Sequence, residues 1–359
     1  MVVTPVQDIR FCTSADGTRI AYAVHGSGPP LVLDACWLSH LQYDWQSPVW
    51  RHYLTEFGRF ATVIRFDERG HGLSDRDVDD FSAAARLADL EAVVDDAGLD
   101  RFALMAMAQG GPISIEYVAR HPDRVSRLML YGSYAGAQAR ATEEERDLDA
   151  AFEALIRVGW ERPTPEFRRV FTYQMIPGAT EEQMRWLDEL QKRAVTADTA
   201  VVSRQQRNLA DATRLLASLD LPTLVLHARE DHMNPFHEAR YLAAHIPGAR
   251  LVPLESGNHI LLEDEPAWPV FLQEVEQFVA DDRVAGGPAE SGGDLSALSS
   301  REREVLALAA RGHDNEGIAT ELTLSVRTVE RHLQNVYLKL GLQGRNARTA
   351  AVARLLSQG

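Results

Sequence analysis

The stretch FALMAMAQGGPISIEYVARHP, residues 102–122, constrains the fold more than any other part of the chain. Phe102–Met107 is apolar throughout, as a strand buried on both faces requires. Gly110–Arg120 follows with the pattern of a helix, and small residues stand at Ala106, Ala108, Gly110 and Gly111 where the two meet. A strand that passes sharply into a helix forces the joining residue into a strained backbone conformation, and only small neighbours leave room for it.

The residues around it repeat the theme. Arg10–Ser14 and Arg19–His25 flank Asp16-Gly17, a hairpin signal. Further strands are expected at Leu31–Leu33, Ala61–Phe66, Leu128–Tyr131, Thr223–His227 and Arg250–Leu254, with helices at Phe81–Ala97 and Pro235–His245. Alternation of this kind predicts a mostly parallel sheet covered on both faces. Glu143–Leu219 breaks the alternation, being helical throughout, and is expected to form a lid over the strands' C-terminal edge.

At residues 283–294 the chain reads RVAGGPAESGGD, a flexible-linker composition. It separates an expected larger domain, residues 1–282 with a lid at about 135–220, from a small one at 295–359. The division matters for charge. The whole chain of 359 residues has 37 basic and 52 acidic residues and a net charge of −15, which taken alone argues against a nucleic-acid partner. From Asp294 to Gly359, however, there are nine basic and seven acidic residues, so this part is +2 and the remainder −17. From Thr323 onward six basic residues face a single acidic one.

Other classes drop out. With only Cys12 and Cys36 there is no disulfide framework and no four-cysteine zinc site. The histidines show no metal-ligand spacing, and no cofactor is called for. No run approaches the ~20 apolar residues of a membrane span, and the start MVVTPVQDIRF lacks an export signal. A cytoplasmic protein without a membrane partner is expected.

The 102–122 stretch resembles the nucleophile elbow of the α/β-hydrolase family, and further matches are FDERGHGLS at 66–74, HAREDHMNP at 227–235 and GNHILLEDEP at 257–266. The resemblance covers roughly residues 10–280 and implies an α/β-hydrolase fold with a helical lid. In the family's order of nucleophile, acid and histidine, the matching positions are Ala108, Asp231 and His259. A methyl group cannot attack a carbonyl, so acyl-transfer hydrolysis is not expected. LDACWLSH places Ala35-Cys36 where the family usually has a glycine-containing pair, so restoring Ala108→Ser is expected to return little esterase activity. Trp37 and Gln109 remain candidates to offer backbone N–H groups to a ligand oxygen.

Two readings follow. In the first, the domain binds a small, mainly apolar molecule, with Trp37, Ala108, Gln109, Tyr134, Trp160, Tyr173, Met233 and His259 as ligand contacts. In the second, a His259–Asp231 dyad performs serine-independent lyase or cofactor-free oxygenase chemistry. Inherited packing is an equal alternative for Asp231 and His259. Trp160, Phe171, Tyr173, Met175 and Trp186 either line the pocket or form the lid's own core. The FDERGHGLS turn reads as a structural feature.

The C-terminal part predicts a helix that starts at Ser299 or Ser300 and ends at Gly312, a short one at Asn315–Leu322, and a third capped by Ser325. Val329, Leu333, Val336, Tyr337 and Leu340 fall on one face of the third, and His332 borders that stripe. LSSREREVL, Asn315, Ile318-Ala319, LSVRTVERH and KLG in that order resemble the LuxR-type helix-turn-helix domain, a small all-α fold. Gly317 departs from the usual Glu, and about three extra residues follow Arg345. The resemblance implies a homodimer on double-stranded DNA with two-fold related half-sites, and RNA polymerase as a further partner. It makes Glu330, Arg331 and Gln334 base-edge candidates and Arg327, Thr328 and Lys339 phosphate candidates. Glu330 beside phosphates is unfavourable unless it accepts from a cytosine amine. Together the parts predict a ligand-responsive transcription regulator.

Overall fold

The computed structural model describes residues 6–34, 38–136, 142–285, 300–310, 313–322 and 324–326, together with 298, 328, 329, 332, 333, 336, 351, 352 and 355. Its contacts divide the chain into two compact units, Met1–Gly286 and Gly287–Gly359.

The first unit begins with β1 (Asp8–Thr13) and β2 (Arg19–Gly26), joined by the Asp16-Gly17 turn. Gly17 has φ +91° there, a value that glycine adopts without steric cost. There follow β3 (Pro30–Asp34), α1 (Leu41–Asp44), α2 (Arg51–Phe60), β4 (Thr62–Phe66), α3 (Ala83–Asp96), β5 (Phe102–Met107), α4 (Gly110–Arg120) and β6 (Val125–Tyr131). The lid comprises α5 (Glu143–Gly159), α6 (Glu166–Met175), α7 (Glu181–Ala194) and α8 (Ala197–Asn208), closed by a 3₁₀ turn at Thr213–Ser218. Then come β7 (Thr223–Ala228), α9 (Phe236–His245), β8 (Arg250–Leu254) and α10 (Ala267–Ala285).

The eight strands form one sheet in the order β1-β2-β4-β3-β5-β6-β7-β8. Only β1–β2 and β2–β4 are antiparallel; the other neighbours are parallel, the mostly parallel sheet that alternation predicts. β5 sits near the centre and alternation splits its side chains between two cores. Ala103, Met105 and Met107 join the cluster shared with α2, the lid and α10. Phe102, Leu104 and Ala106 join the one shared with α3, α4 and α9. The lid is therefore packed against the same sheet face as the body, through Trp160, Phe171, Met175 and Leu187.

In the second unit α11 (Ser300–Ala310) packs on α12 (Asn315–Glu321) through Val305, Leu308, Ile318 and Ala319. Asp314 caps α12 by accepting from the backbone N–H of Gly317 at 2.8 Å. Ser325 accepts from the Thr328 N–H at 3.1 Å, as an N-cap does. Val329, Leu333 and Val336 are buried; Tyr337 and Leu340 lie outside the described residues.

Candidate functional site

The turn between β5 and α4 is built as its composition requires. Ala108 has φ +48°, in the left-handed region where a non-glycine residue costs about 1–2 kcal/mol. Backbone bonds hold it there: its N–H donates to Tyr131 O at 3.0 Å, and its carbonyl accepts from Ser133 Oγ at 2.6 Å. Gly111 is obligatory, since a Cβ would fall 2.1 Å from Ser133 Oγ and 2.3 Å from Tyr134 O. The strained elbow is thus fully formed around a methyl side chain.

Asp231 and His259 come from loops after β7 and β8. His259 Nδ1 lies 2.7 Å from Asp231 Oδ2, and both residues are buried. Asp231 Oδ1 accepts from the backbone N–H groups of Met233 (2.8 Å) and Asn234 (2.9 Å), which fixes the carboxylate. Burial pushes its pKa up, yet the adjoining His259 outweighs this and holds it below the ordinary carboxylate value. His227 adds its Nε2 at 3.5 Å from Asp231 Oδ2, and burial keeps that ring neutral by lowering its pKa. Because Nδ1 faces the acid, His259 Nε2 is the ring nitrogen left for other partners, the orientation of a catalytic histidine.

Gly132 stands behind the dyad with φ +54°, and a Cβ there would approach His259 Cε1 to 2.9 Å and Nδ1 to 3.2 Å. Gly132→Ala is expected to cost about 2–3 kcal/mol, from left-handed strain plus displacement of the ring. Gly248 (φ +70°, no atom within 4 Å of a Cβ) provides the control: Gly248→Ala bears the strain alone, about 1 kcal/mol. Chemical denaturation of both variants checks the difference, and equal losses would count against contact with the ring.

The lid reaches this loop directly. The Met175 carbonyl at the end of α6 accepts from the N–H groups of His259 (2.8 Å) and Ile260 (3.2 Å). Asn258 Oδ1 accepts from the Gly178 N–H at 2.9 Å. From the sheet side, Tyr131 Oη donates to His259 O at 2.7 Å and accepts from the Leu261 N–H at 3.2 Å. A second seat for the lid is the 66–74 turn: Gly72 N–H donates to Ala194 O at 2.9 Å, and Arg207 of α8 meets Glu68 at 3.3 Å. Glu68 also takes Arg86 at 2.7 Å and the Gln109 side-chain amide at 3.3 Å. Against the upward push of burial, Arg86 and Arg207 bring its pKa down to about 2. Arg69 in the same turn is buried against Asp89 and Asp16, both at 2.7 Å.

The expected ligand contacts separate on this framework. Ala108, Gln109 and His259 are buried near the strand ends, Met233 and Tyr134 are half-buried, and Trp37 lies outside the described residues. Trp160 is 1% exposed, in the cluster shared by lid and sheet, with its indole N–H donating to Val195 O at 3.0 Å. Tyr173 is 55% exposed. The inward stripe of α6 is Arg168, Phe171, Thr172 and Met175, and Tyr173 falls off it, so an enclosed pocket does not receive its ring. Of the DNA candidates Thr328 is half-buried; Arg327, Glu330, Arg331, Gln334 and Lys339 lie outside the described residues. Sequence reasoning missed Gly132, although a glycine directly after the buried strand β6 is a signal for it; Met175 was named only as lid core or pocket lining, and Glu68 and Asn258 only as members of motifs.

Residues 39–266 match the model of the alpha/beta hydrolase fold. The chain belongs to the α/β-hydrolase family. Residues 296–352 match the model of bacterial regulatory proteins of the luxR family, so this α/β-hydrolase carries a LuxR-type DNA-binding domain, a fusion that fits a transcription regulator. Among similar proteins, the AB hydrolase superfamily protein YisY of Bacillus subtilis is 28% identical over 242 residues, 65% of this chain and 86% of the relative. An uncharacterised protein of Mycobacterium tuberculosis is 26% identical over 351 residues, 88% of this chain and 97% of the relative. The fold is that of an esterase from Exiguobacterium antarcticum (TM-score 0.63, 22% identity, 75% of this chain and 98% of that one). It is likewise that of the enol-lactonase from Burkholderia xenovorans LB400 (TM-score 0.58, 21% identity, 76% and 100%). Among the described residues no helix is long and apolar enough to cross a membrane, and no group of three metal-ligating side chains occurs.

Proposed function

We propose that this protein is a cytoplasmic, ligand-responsive transcription regulator whose hydrolase-fold domain binds a small, mainly apolar molecule without hydrolysing it. The observation that carries the reading is the pairing of a LuxR-type domain with an elbow that bears Ala108. The apolar cluster shared by lid and sheet supports a ligand of that character, which would lie beside Ala108 and His259. Proteins that share this fold include an esterase and an enol-lactonase.

The His259 loop and the Met175 carbonyl are bonded together, so a ligand that shifts the lid shifts the loop as well. The protein acts as a homodimer on two-fold related half-sites, and RNA polymerase is its partner at the promoter. The ligand must bind the DNA-competent and incompetent states with different affinity, since equal affinity shifts nothing. Native mass spectrometry of the purified protein, followed by operator titration with loaded and stripped protein, tests this. A bound compound of unchanged mass with altered operator affinity is expected; identical affinities would sink the reading.

Arg331→Ala is expected to weaken specific binding by about 1–3 kcal/mol and relax one base position. Footprinting on a base-substituted operator series checks it, and an unchanged footprint would place Arg331 off the base edges.

The intact dyad at 2.7 Å favours one second reading, serine-independent chemistry with His259 as base. Turnover that disappears in His259→Ala would establish it, and ligand recovered unchanged after long incubation would exclude it.

A further inference from the structure

Between β3, β4 and α2 lies a cavity of about 60 Å³. Leu33, Leu54, Phe57 and Met107 give it apolar walls, yet Asp44 and Arg65 line it too. Their side chains are only 7% and 9% exposed and form an ion pair, Arg65 Nη1 to Asp44 Oδ2, at 3.5 Å. Most of their remaining capacity is used: Asp44 Oδ2 accepts from the His40 N–H at 3.0 Å, and Arg65 Nη2 donates to Gln7 Oε1 and Leu41 O, both at 2.8 Å. Two buried atoms of the pair have no partner among the described residues, the acceptor Asp44 Oδ1 and the donor Arg65 Nε.

The two residues that carry this unmet acceptor and unmet donor thus line one cavity. Leaving a buried polar group unsatisfied is costly, more so where it is charged, so native proteins supply such groups with a partner. Burial, only partly opposed by Arg65, pushes the Asp44 carboxyl up to about 7. Near neutral pH that carboxyl therefore presents either a lone pair or a proton. An O–H group suits both states, because it can donate to the carboxylate or accept from the acid while a lone pair takes the Arg65 Nε–H.

We propose that this cavity is a hydroxyl-binding site, in which one O–H oxygen bridges Asp44 Oδ1 and Arg65 Nε. A cavity of this size has room for a few water molecules or one terminal hydroxymethyl group, and is well below the ~150 Å³ that holds a benzene ring. The cavity adjoins the candidate ligand site in sequence: Met107 directly precedes Ala108, and Leu38 directly follows Trp37. The same chemistry has two sources, solvent water and the hydroxyl of a sensed molecule. The second source rests on the sensor reading; the first does not.

The test uses wild-type crystals in three states: untreated, soaked in ethanol, and held under xenon pressure. The expected result is an oxygen within about 3.2 Å of both Asp44 Oδ1 and Arg65 Nε, replaced by the ethanol hydroxyl on soaking, with no xenon bound. Water that ethanol fails to displace supports the site and assigns its hydroxyl to solvent. A dry cavity that fills with xenon overturns the proposal, because apolar gas enters only where no polar demand exists. Asp44→Leu is expected to lose both oxygen and ethanol density; should that variant not fold, the xenon experiment on wild type still decides. Operator affinity of loaded and stripped protein is an independent measurement, so failure of the sensor reading and failure of this site are distinguishable.

Discussion

Wild-type protein is expected to hydrolyse p-nitrophenyl acetate no faster than its His259→Ala variant. The dyad is in place, but no oxygen stands on Ala108 to form an acyl intermediate. Loss of the nucleophile alone lowers kcat by on the order of a million-fold in a well-studied triad. A rate clearly above that of His259→Ala would mean that His259 activates water or that another nucleophile serves. Ala108→Ser is the informative counterpart. The backbone that strains residue 108 is retained, and His259 Nδ1 on Asp231 directs Nε2 away from the acid, so a serine would meet a prepared base. The oxyanion side differs, because Ala35-Cys36 stands where the family has glycine. One missing oxyanion donor costs about 10²–10³-fold. The variant is therefore expected to remain at least about 10²-fold below an ordinary esterase in initial-rate measurements, and full activity would show that the 35–37 segment supplies its donor after all.

The second large effect concerns acid. His25, His52 and His71 are buried, and burial lowers the pKa of each to about 4. Each ring donates one N–H to a backbone carbonyl: His25 to Leu54 (2.9 Å), His52 to Leu261 (3.0 Å) and His71 to Arg69 (2.9 Å). The opposite nitrogens of His25 and His71 have no partner among the described residues, so a second proton would be buried there without an acceptor. For a histidine with a depressed folded pKa, the stabilising contribution is complete above the unfolded value of 6.5 and is lost as pH falls towards 4. Between pH 7.5 and 5.5 the three together withdraw about 4 kcal/mol, at ~1.36 kcal/mol per pH unit for each group. Asp44 works in the opposite direction. Its raised pKa destabilises the fold above neutral pH, and protonation returns about 2 kcal/mol over the same interval. These four groups by themselves contribute a net loss of about 2 kcal/mol, worth roughly 4–8 °C in Tm. A calorimetric Tm that stays level from pH 7.5 to 5.5 would mean that these rings are solvated in solution. His52→Gln, which keeps a donor to Leu261 but cannot titrate, is expected to flatten the dependence.

Local signals made the architecture legible. The unbroken apolar run of β5, the small residues after it and the Gly/Pro/Ser-rich segment at 283–294 are statements about a few neighbouring residues, where periodicity and turn chemistry act. The same holds for the helix start capped by Ser325. The lid as a helical insertion was readable for that reason, whereas the inner and outer faces of its aromatics were not. Tyr173 and Phe171 are two residues apart and lie on opposite sides of α6, and which side meets the sheet depends on how the whole helix is seated.

Charge shows the same division. A chain total of −15 points away from DNA, and the linker turns it into a −17 domain beside a +2 one. That correction needs only the sequence, because it depends on where the chain is divided. By contrast, the buried ion pair of Asp44 and Arg65 joins residues 21 positions apart, and its unmet atoms appear only when β3, β4 and α2 enclose them.

By itself, then, the sequence determined the fold class, the two-part organisation, the alanine at the elbow and the order of acid and histidine, all of which follow from local pattern and from spacing. Tertiary structure alone decided that Asp231 and His259 meet at 2.7 Å, that Met175 of the lid holds the His259 loop, and that Gly132 leaves the ring its space. These contacts join residues far apart in the chain, and their geometry is set by the packing of sheet, lid and loops rather than by any run of neighbouring residues.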